Sequence, residues 1–157
     1  MAVHLTTAKD NAIDRLILKL LQQDCRIPLD VLAKKIGVPK STLHYRIKRL
    51  EKEGVIGGYY AKVDPLKLGY DYVAVVLVKA RYGPNYHEKL GKKIAKISGV
   101  WGVYYVLGEY DFIVLIRAKD REDYMNKLEL MSSMPDIERT NTQVAAKVLV
   151  EDPRVSV

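Results

Sequence analysis

In the N-terminal third of the chain, apolar residues recur every three or four positions in three successive segments. Ile13, Leu16, Ile17, Leu20 and Leu21 predict a helix over 10–26, with Asp10, Asn11 or Asp14 supplying an acidic start. Leu29, Leu32, Ala33 and Ile36 predict a short second helix that Asp30 caps or opens, and Gly37 ends it with the positive φ a sharp turn requires. Pro39 bars that helix from continuing. Leu43, Ile47 and Leu50 then mark one buried stripe on a third helix, expected from about Lys40 to Glu53 and stopped by Gly54, with Val55 and Ile56 folding back on the stripe. Two short amphipathic helices around a tight break, the second strongly basic, form a helix-turn-helix pattern. Gly57, Gly58 and residues 59–63 read as a wing or linker strand, broken at Asp64-Pro65.

Beyond Gly69 the period changes. Strands are expected over 72–81, 100–107, 111–118 and 137–150, and helices over 84–97 and 121–133, giving the order βαββαβ. The two middle strands are joined through Gly108-Glu109-Tyr110. The fold class is therefore α+β: an N-terminal helix-turn-helix followed by a ferredoxin-like antiparallel sheet carrying both helices on one face. The corresponding domains are 1–57, a linker strand or hinge over 58–70, and 71–157.

A sheet with one wet face alternates apolar and polar residues, but Val73-Ala74-Val75-Val76-Leu77-Val78 and Phe112-Ile113-Val114-Leu115-Ile116 are apolar on both faces. The face away from the helices must also be buried. Another copy of this chain is the economical cover, because the small N-terminal unit has committed its apolar stripes to its own core.

At 157 residues, 48% hydrophobic and 29% charged, the chain has room for one ordinary or two small globular domains. It holds no apolar run of the roughly 18 residues that a membrane-spanning helix needs, and residues 1–11 carry no signal-peptide core, so a cytoplasmic protein without a membrane partner is expected. The single cysteine, Cys25, has no Cys or His neighbour at metal-ligand spacing and reads as a small residue near a helix end. The net charge of +7 is uneven: residues 1–62 hold 12 Lys and Arg against 6 Asp and Glu, residues 63–157 hold 14 against 13. Cations concentrated on a helix-turn-helix are the footprint of phosphate binding and counterion release.

On that basis double-stranded DNA is the expected macromolecular partner. Lys34, Lys35, Arg49 and Lys52 are placed as phosphate anchors, and Ser41, Thr42, His44, Tyr45 and Arg46 as candidates for groove contact, with Lys40 beside them at the helix start. Arg46 has an equal alternative, an intramolecular clamp on Glu51 or Glu53. A dimer would present two such helices to a site of approximate two-fold symmetry.

The chain resembles the Lrp/AsnC, or feast/famine, regulators over nearly its whole length. The resemblance rests jointly on the helix from Asp14 to Leu21, the LAKKIGV segment with STLHYRIKRLEKEGVI, the Gly58-Tyr59 and Leu68-Gly69 pairs, and Gly108-Glu109-Tyr110-Asp111. It implies a winged helix-turn-helix joined to a small-molecule-binding domain, homodimers that assemble further into tetramers or octamers, and transcription control tuned by an amino acid effector, with no other cofactor. In the family, ligands are held between dimers by the glycine turn and by polar residues of the last strand, which map to Gly108, Tyr110, Asp111, Thr140 and Thr142. Exposed amides near the glycine suit an α-carboxylate, and Asp111 or Glu109 an α-ammonium; Glu109 and Gln143 can equally select a polar side chain or remain solvated. One departure is Pro39, where many family members carry Ser: proline offers no side-chain oxygen to cap the third helix. Individual base contacts are therefore expected one or two residues later than the family pattern.

Two other classes remain open at this point. The three histidines, His4, His44 and His87, are scattered, and no nucleophile setting, HExxH pair or phosphate-cradling loop accompanies them, so nothing assembles a familiar active site. Siroheme decarboxylases nevertheless resemble this two-domain organisation, and such an enzyme would bind a coloured tetrapyrrole without needing a basic third helix. An architectural DNA-binding protein would compact DNA with no response to amino acids.

Overall fold

A computed structural model describes residues 12–157. The element order is α1 (Ala12–Gln23), α2 (Leu29–Ile36), α3 (Lys40–Lys52), a 3-10 turn (Leu66–Leu68), β1 (Tyr72–Ala80), α4 (Tyr86–Ile94), β2 (Val100–Tyr105), β3 (Phe112–Ala118), α5 (Arg121–Ser132) and β4 (Ile137–Val144). The expected starts at Asp10 and Asn11 lie outside the described residues. Among the described residues, no helix is long and apolar enough to cross a membrane.

The described residues divide into two compact units, 12–62 with 152–157, and 63–151. In the first, Ile17, Leu32, Leu43 and Leu50 are wholly buried and form the core with Ala33 and Ile47, so α2 and α3 turn the stripes read from their sequence inward, as does α1 except at Leu16, which is exposed. Burying one such side chain contributes roughly 1.5–3 kcal/mol, which is how helices of 8–13 residues hold without long intrinsic stability. Gly37, at φ 78°, donates to the Ala33 carbonyl at 2.9 Å and reverses the chain between α2 and α3. Residues 57–64 belong to no strand, a departure from the expected wing or linker strand.

The last six residues depart from the expected extent of the second domain, 71–157. They group with the N-terminal unit because the Gln22 carboxamide accepts from the Val155 backbone N–H at 2.7 Å and donates to its carbonyl at 3.0 Å. A primary amide thus takes the place of a neighbouring strand.

The second unit is a four-stranded antiparallel sheet ordered β2-β3-β1-β4, the ferredoxin-like arrangement. Ala74, Val76, Val78 and Ala80 of β1, with Phe112, Val114, Ile116 and Ala118 of β3, face Leu90 and Ile94 of α4 and Tyr124 and Met131 of α5. Val75, Leu77, Ile113 and Leu115 alternate with these on the opposite face and are only half-buried. β4 ends at Val144, six residues short of expectation: Val144 pairs with Ala74 and Ala145 donates to Val73, after which only Tyr72 of β1 remains. Gly99, at φ 86°, precedes β2; its carbonyl accepts from Arg117 at 2.8 Å, and a Cβ there would stand 2.2 Å from the Arg117 carbonyl oxygen.

Candidate nucleic-acid interface and ligand turn

Successive helical residues are separated by about 100°, so on α3 Ser41, Tyr45, Lys48 and Lys52 fall on one stripe opposite the buried Leu43, Ile47 and Leu50. All four are exposed, Tyr45 at 67%. His44 and Lys40 flank the stripe on one side, both exposed, and Lys40 pairs at 2.8 Å with Asp30 in the first turn of α2. Thr42, half-buried, lies on the other flank. Lys34 and Lys35, in the last turn of α2, are exposed as well. Pro39 stands at the N-cap without a side-chain hydrogen bond. The result is a solvent-facing band of hydroxyls, a phenol, an imidazole and lysine cations. Lys48 belongs to this band although the sequence-derived set omitted it; its ammonium bonds Glu51 at 2.9 Å, and that contact is the first cause holding the Glu51 carboxyl below the usual range. Glu51 also accepts from the Tyr59 hydroxyl at 3.0 Å, and burial together with this bond pushes the Tyr59 phenol up to about 12.

Two arginines do not join the band. Arg46 donates to Asp14 Oδ1 at 3.0 Å, and Arg49 donates to Asp14 Oδ2. Arg49, placed by the sequence among the phosphate anchors, has its guanidinium engaged inside the unit. Arg46 takes the clamp reading, on Asp14 of α1 rather than on Glu51 or Glu53. Asp14 itself is wholly buried. A carboxylate one turn before Ile17, on the apolar stripe of α1, was the available signal, since such a charge stays buried only when paired.

The residues mapped to a ligand site are divided by the structure. Gly108, Glu109 and Tyr110 form the link from β2 to β3, with Glu109 exposed and bonded to Arg139 at 2.7 Å, and the Arg139 guanidinium 5.3 Å from the Tyr110 ring centre. Arg139 was not singled out in the sequence. Asp111 is buried, accepting from the Ala80 N–H at 2.9 Å and the Tyr86 hydroxyl at 3.3 Å, with Lys79 Nζ at 3.3 Å. Expected from the resemblance as an α-ammonium acceptor, Asp111 has both oxygens bonded within the fold. The Tyr86 phenol is raised in turn, first by its bond with Tyr105 and also by burial and by Asp111. Residues directly opposite across a ladder share a face, so Thr140 (opposite Val78) and Thr142 (opposite Val76) lie on the helix side, where Thr142 Oγ1 is 2.6 Å from the Tyr124 hydroxyl. Gln143, opposite Val75, is on the other face. Thr140 and Thr142 therefore lie on the face opposite that of Arg139 and Gln143.

Known proteins match both units. Residues 10–56 match the winged helix-turn-helix DNA-binding family, and residues 73–155 match the Lrp/AsnC ligand binding domain. The chain belongs to the Lrp/AsnC family. Over 135 residues it is 38% identical to the HTH-type transcriptional regulator FL11 of Pyrococcus horikoshii, covering 86% of this chain and 88% of that one. Among solved structures, a feast or famine regulatory protein of M. tuberculosis, complexed with L-methionine, superposes with a TM-score of 0.82 at 25% identity, covering 92% of this chain and 97% of that one. An AsnC family regulator of Agrobacterium tumefaciens shares the fold, with a TM-score of 0.85 at 22% identity and coverage of 92% and 95%. An Lrp/AsnC chain with both parts present is a transcriptional regulator that pairs a helix-turn-helix with a ligand-binding domain.

Proposed function

We propose that this regulator recognises specific duplex DNA sites through the exposed band on α3 and that an amino acid, bound at the ligand domain, modulates its DNA binding or its assembly. The observation that carries the reading is the band itself, Ser41, His44, Tyr45, Lys48 and Lys52 with Lys34 and Lys35 on α2, in the same chain as an Lrp/AsnC ligand-binding domain. Lysines at the band's edges suit phosphates, and the hydroxyl and phenol groups near the start of α3 suit base edges. The protein acts in the cytoplasm, as a binder and not an enzyme. The amino acid effector is supported by the methionine complex of the mycobacterial relative. In this chain Gly108 offers backbone amides to an α-carboxylate, while the exposed Glu109–Arg139 pair can exchange its internal contact for the charges of a zwitterion.

Lys34→Ala or Lys52→Ala is expected to weaken binding to every duplex and to flatten its salt dependence by about one unit per lost phosphate contact. Thr42→Ala or Tyr45→Ala is expected to erode discrimination by about 1–3 kcal/mol, or roughly five- to 150-fold, while changing binding to random DNA little. Anisotropy titrations on a selected and a random duplex separate the two groups; equal losses for all four variants would refute the division.

The half-buried Val75, Leu77, Ile113 and Leu115 support a homodimer closed through the open sheet face, with tetramers or octamers built from it, and residues 58–70 as the hinge to the DNA-binding part. Leu115→Lys places a charge in the middle of that face and is expected to yield monomers by size-exclusion light scattering. A dimer of unchanged affinity would place the interface elsewhere.

A further inference from the structure

We infer that Asp14 is a specificity-determining residue of the DNA-binding unit: by holding Arg46 and Arg49 it orients α3 and withholds two cations from the DNA backbone. The inference rests on the DNA-binding reading and extends it to residues outside the contact band.

The geometry is that of a buried fork. Asp14 projects from the first turn of α1 with none of its surface exposed, and its two oxygens take one guanidinium each, Arg46 at 3.0 Å on Oδ1 and Arg49 on Oδ2. The two arginines are three residues apart, hence on the same flank of α3, the flank next to the exposed stripe of Ser41, Tyr45, Lys48 and Lys52. Their side chains are 20% and 28% exposed, so rotation about their stems carries them to solvent without unpacking the helix. Glu53 lies 3.9 Å from Arg49 Nε on the same flank and adds to the hold.

Two arginines released beside a DNA-binding face would find phosphates, because guanidinium–phosphate contact is strong and indifferent to sequence. Added contacts of that kind raise affinity for all DNA alike and so lower the ratio between specific and random sites. A single buried carboxylate that occupies both cations prevents this and, by fixing two points on α3 against α1, fixes the angle at which the band meets the groove. A merely structural ion pair would, when broken, only loosen the unit and weaken all binding.

The test compares wild type with Asp14→Asn and Arg49→Met in the full chain, titrating a labelled random duplex and a duplex enriched by the wild type from a random pool, across a salt series. Folding is checked by circular dichroism and thermal melting. Folded Asp14→Asn is expected to bind random DNA more tightly, with the slope of log affinity on log salt steeper by up to about 1.8, and with a lower specific-to-random ratio. Arg49→Met, which keeps the Asp14–Arg46 contact and does not depend on the first variant folding, is expected to leave the random-DNA slope unchanged. A slope shallower by about 0.9 in Arg49→Met would put Arg49 on a phosphate and overturn the inference. So would a folded Asp14→Asn whose slope and ratio match the wild type or whose binding is uniformly weaker. Salt-insensitive binding by the wild type would refute the DNA-binding reading itself, a distinguishable failure.

Discussion

Gly99→Ala is expected to destabilise the ligand-binding unit by about 3–5 kcal/mol, a large part of the roughly 5–15 kcal/mol that holds an ordinary domain together. Three effects add. The backbone at Gly99 has φ 86°, in a left-handed region that costs an L-residue about 1–2 kcal/mol. The new Cβ would lie 2.2 Å from the Arg117 carbonyl oxygen and 2.8 Å from Lys127 Cε, and relieving such overlap in a packed region typically costs about 1–3 kcal/mol. Moving the chains apart also stretches the 2.8 Å bond from Arg117 N–H to the Gly99 carbonyl, worth about 0.5–1.5 kcal/mol net. The reporter is built in: Trp101, the chain's one tryptophan, lies two residues along on β2, beneath the Arg117 guanidinium at 5.5 Å. Urea unfolding followed by Trp101 fluorescence should show a much lower midpoint for the variant, with protein unfolded at low denaturant. A midpoint within error of the wild type would mean that the β2–β3 edge tolerates the side chain and that the close approach is not a constraint.

Asp111→Ala is expected to cost about 2–4 kcal/mol in the same unit, since removing a buried partner leaves the Ala80 N–H unsatisfied and the Lys79 ammonium without its carboxylate. Asp111→Asn keeps a carbonyl oxygen for the Ala80 N–H and should fall between the alanine variant and the wild type. The ordering separates two roles for one residue. A scaffold residue gives graded loss of stability, whereas a ligand contact gives wild-type stability with a lost ligand response. Thermal melts of the three proteins, with and without the twenty amino acids, read both quantities, because a ligand that binds only the folded state raises the melting temperature by mass action. Wild-type melting of Asp111→Ala combined with loss of a ligand-induced shift would return Asp111 to the ligand site.

The fold was legible wherever one periodicity dominated. Leu43, Ile47 and Leu50 could only be one helix face, and the apolar runs of β1 and β3 could only be strands with both faces covered or half-covered. Element ends were harder because they depend on partners. Val148, Leu149 and Val150 read as strand by composition but lie beyond the reach of β1, and α4 starts at Tyr86 after Asn85 takes a left-handed turn, not at Pro84. The binding band was legible in its lysines and hydroxyls, since exposure follows from helical phase. Charges on the flanks were not. Arg49 looks from its spacing like a phosphate anchor, and only the position of Asp14 on another helix turns it inward. Asp111 likewise reads as a free carboxylate at a turn until the Ala80 amide, 31 residues away, is brought against it. A charge on an apolar stripe, such as Asp14, signals that a partner exists but not which one, so the pairing is the part that tertiary structure supplies.

The central claim, a DNA-binding regulator tuned by an amino acid, is tested most directly by measuring affinity for a selected duplex at fixed salt with each of the twenty amino acids in turn. At least one amino acid at millimolar concentration is expected to change the apparent Kd by about fivefold or more, the lower end of ordinary coupling between two sites. Salt-sensitive DNA binding that no amino acid alters, in affinity or in assembly state, would contradict it and leave a DNA-binding protein without an amino acid effector.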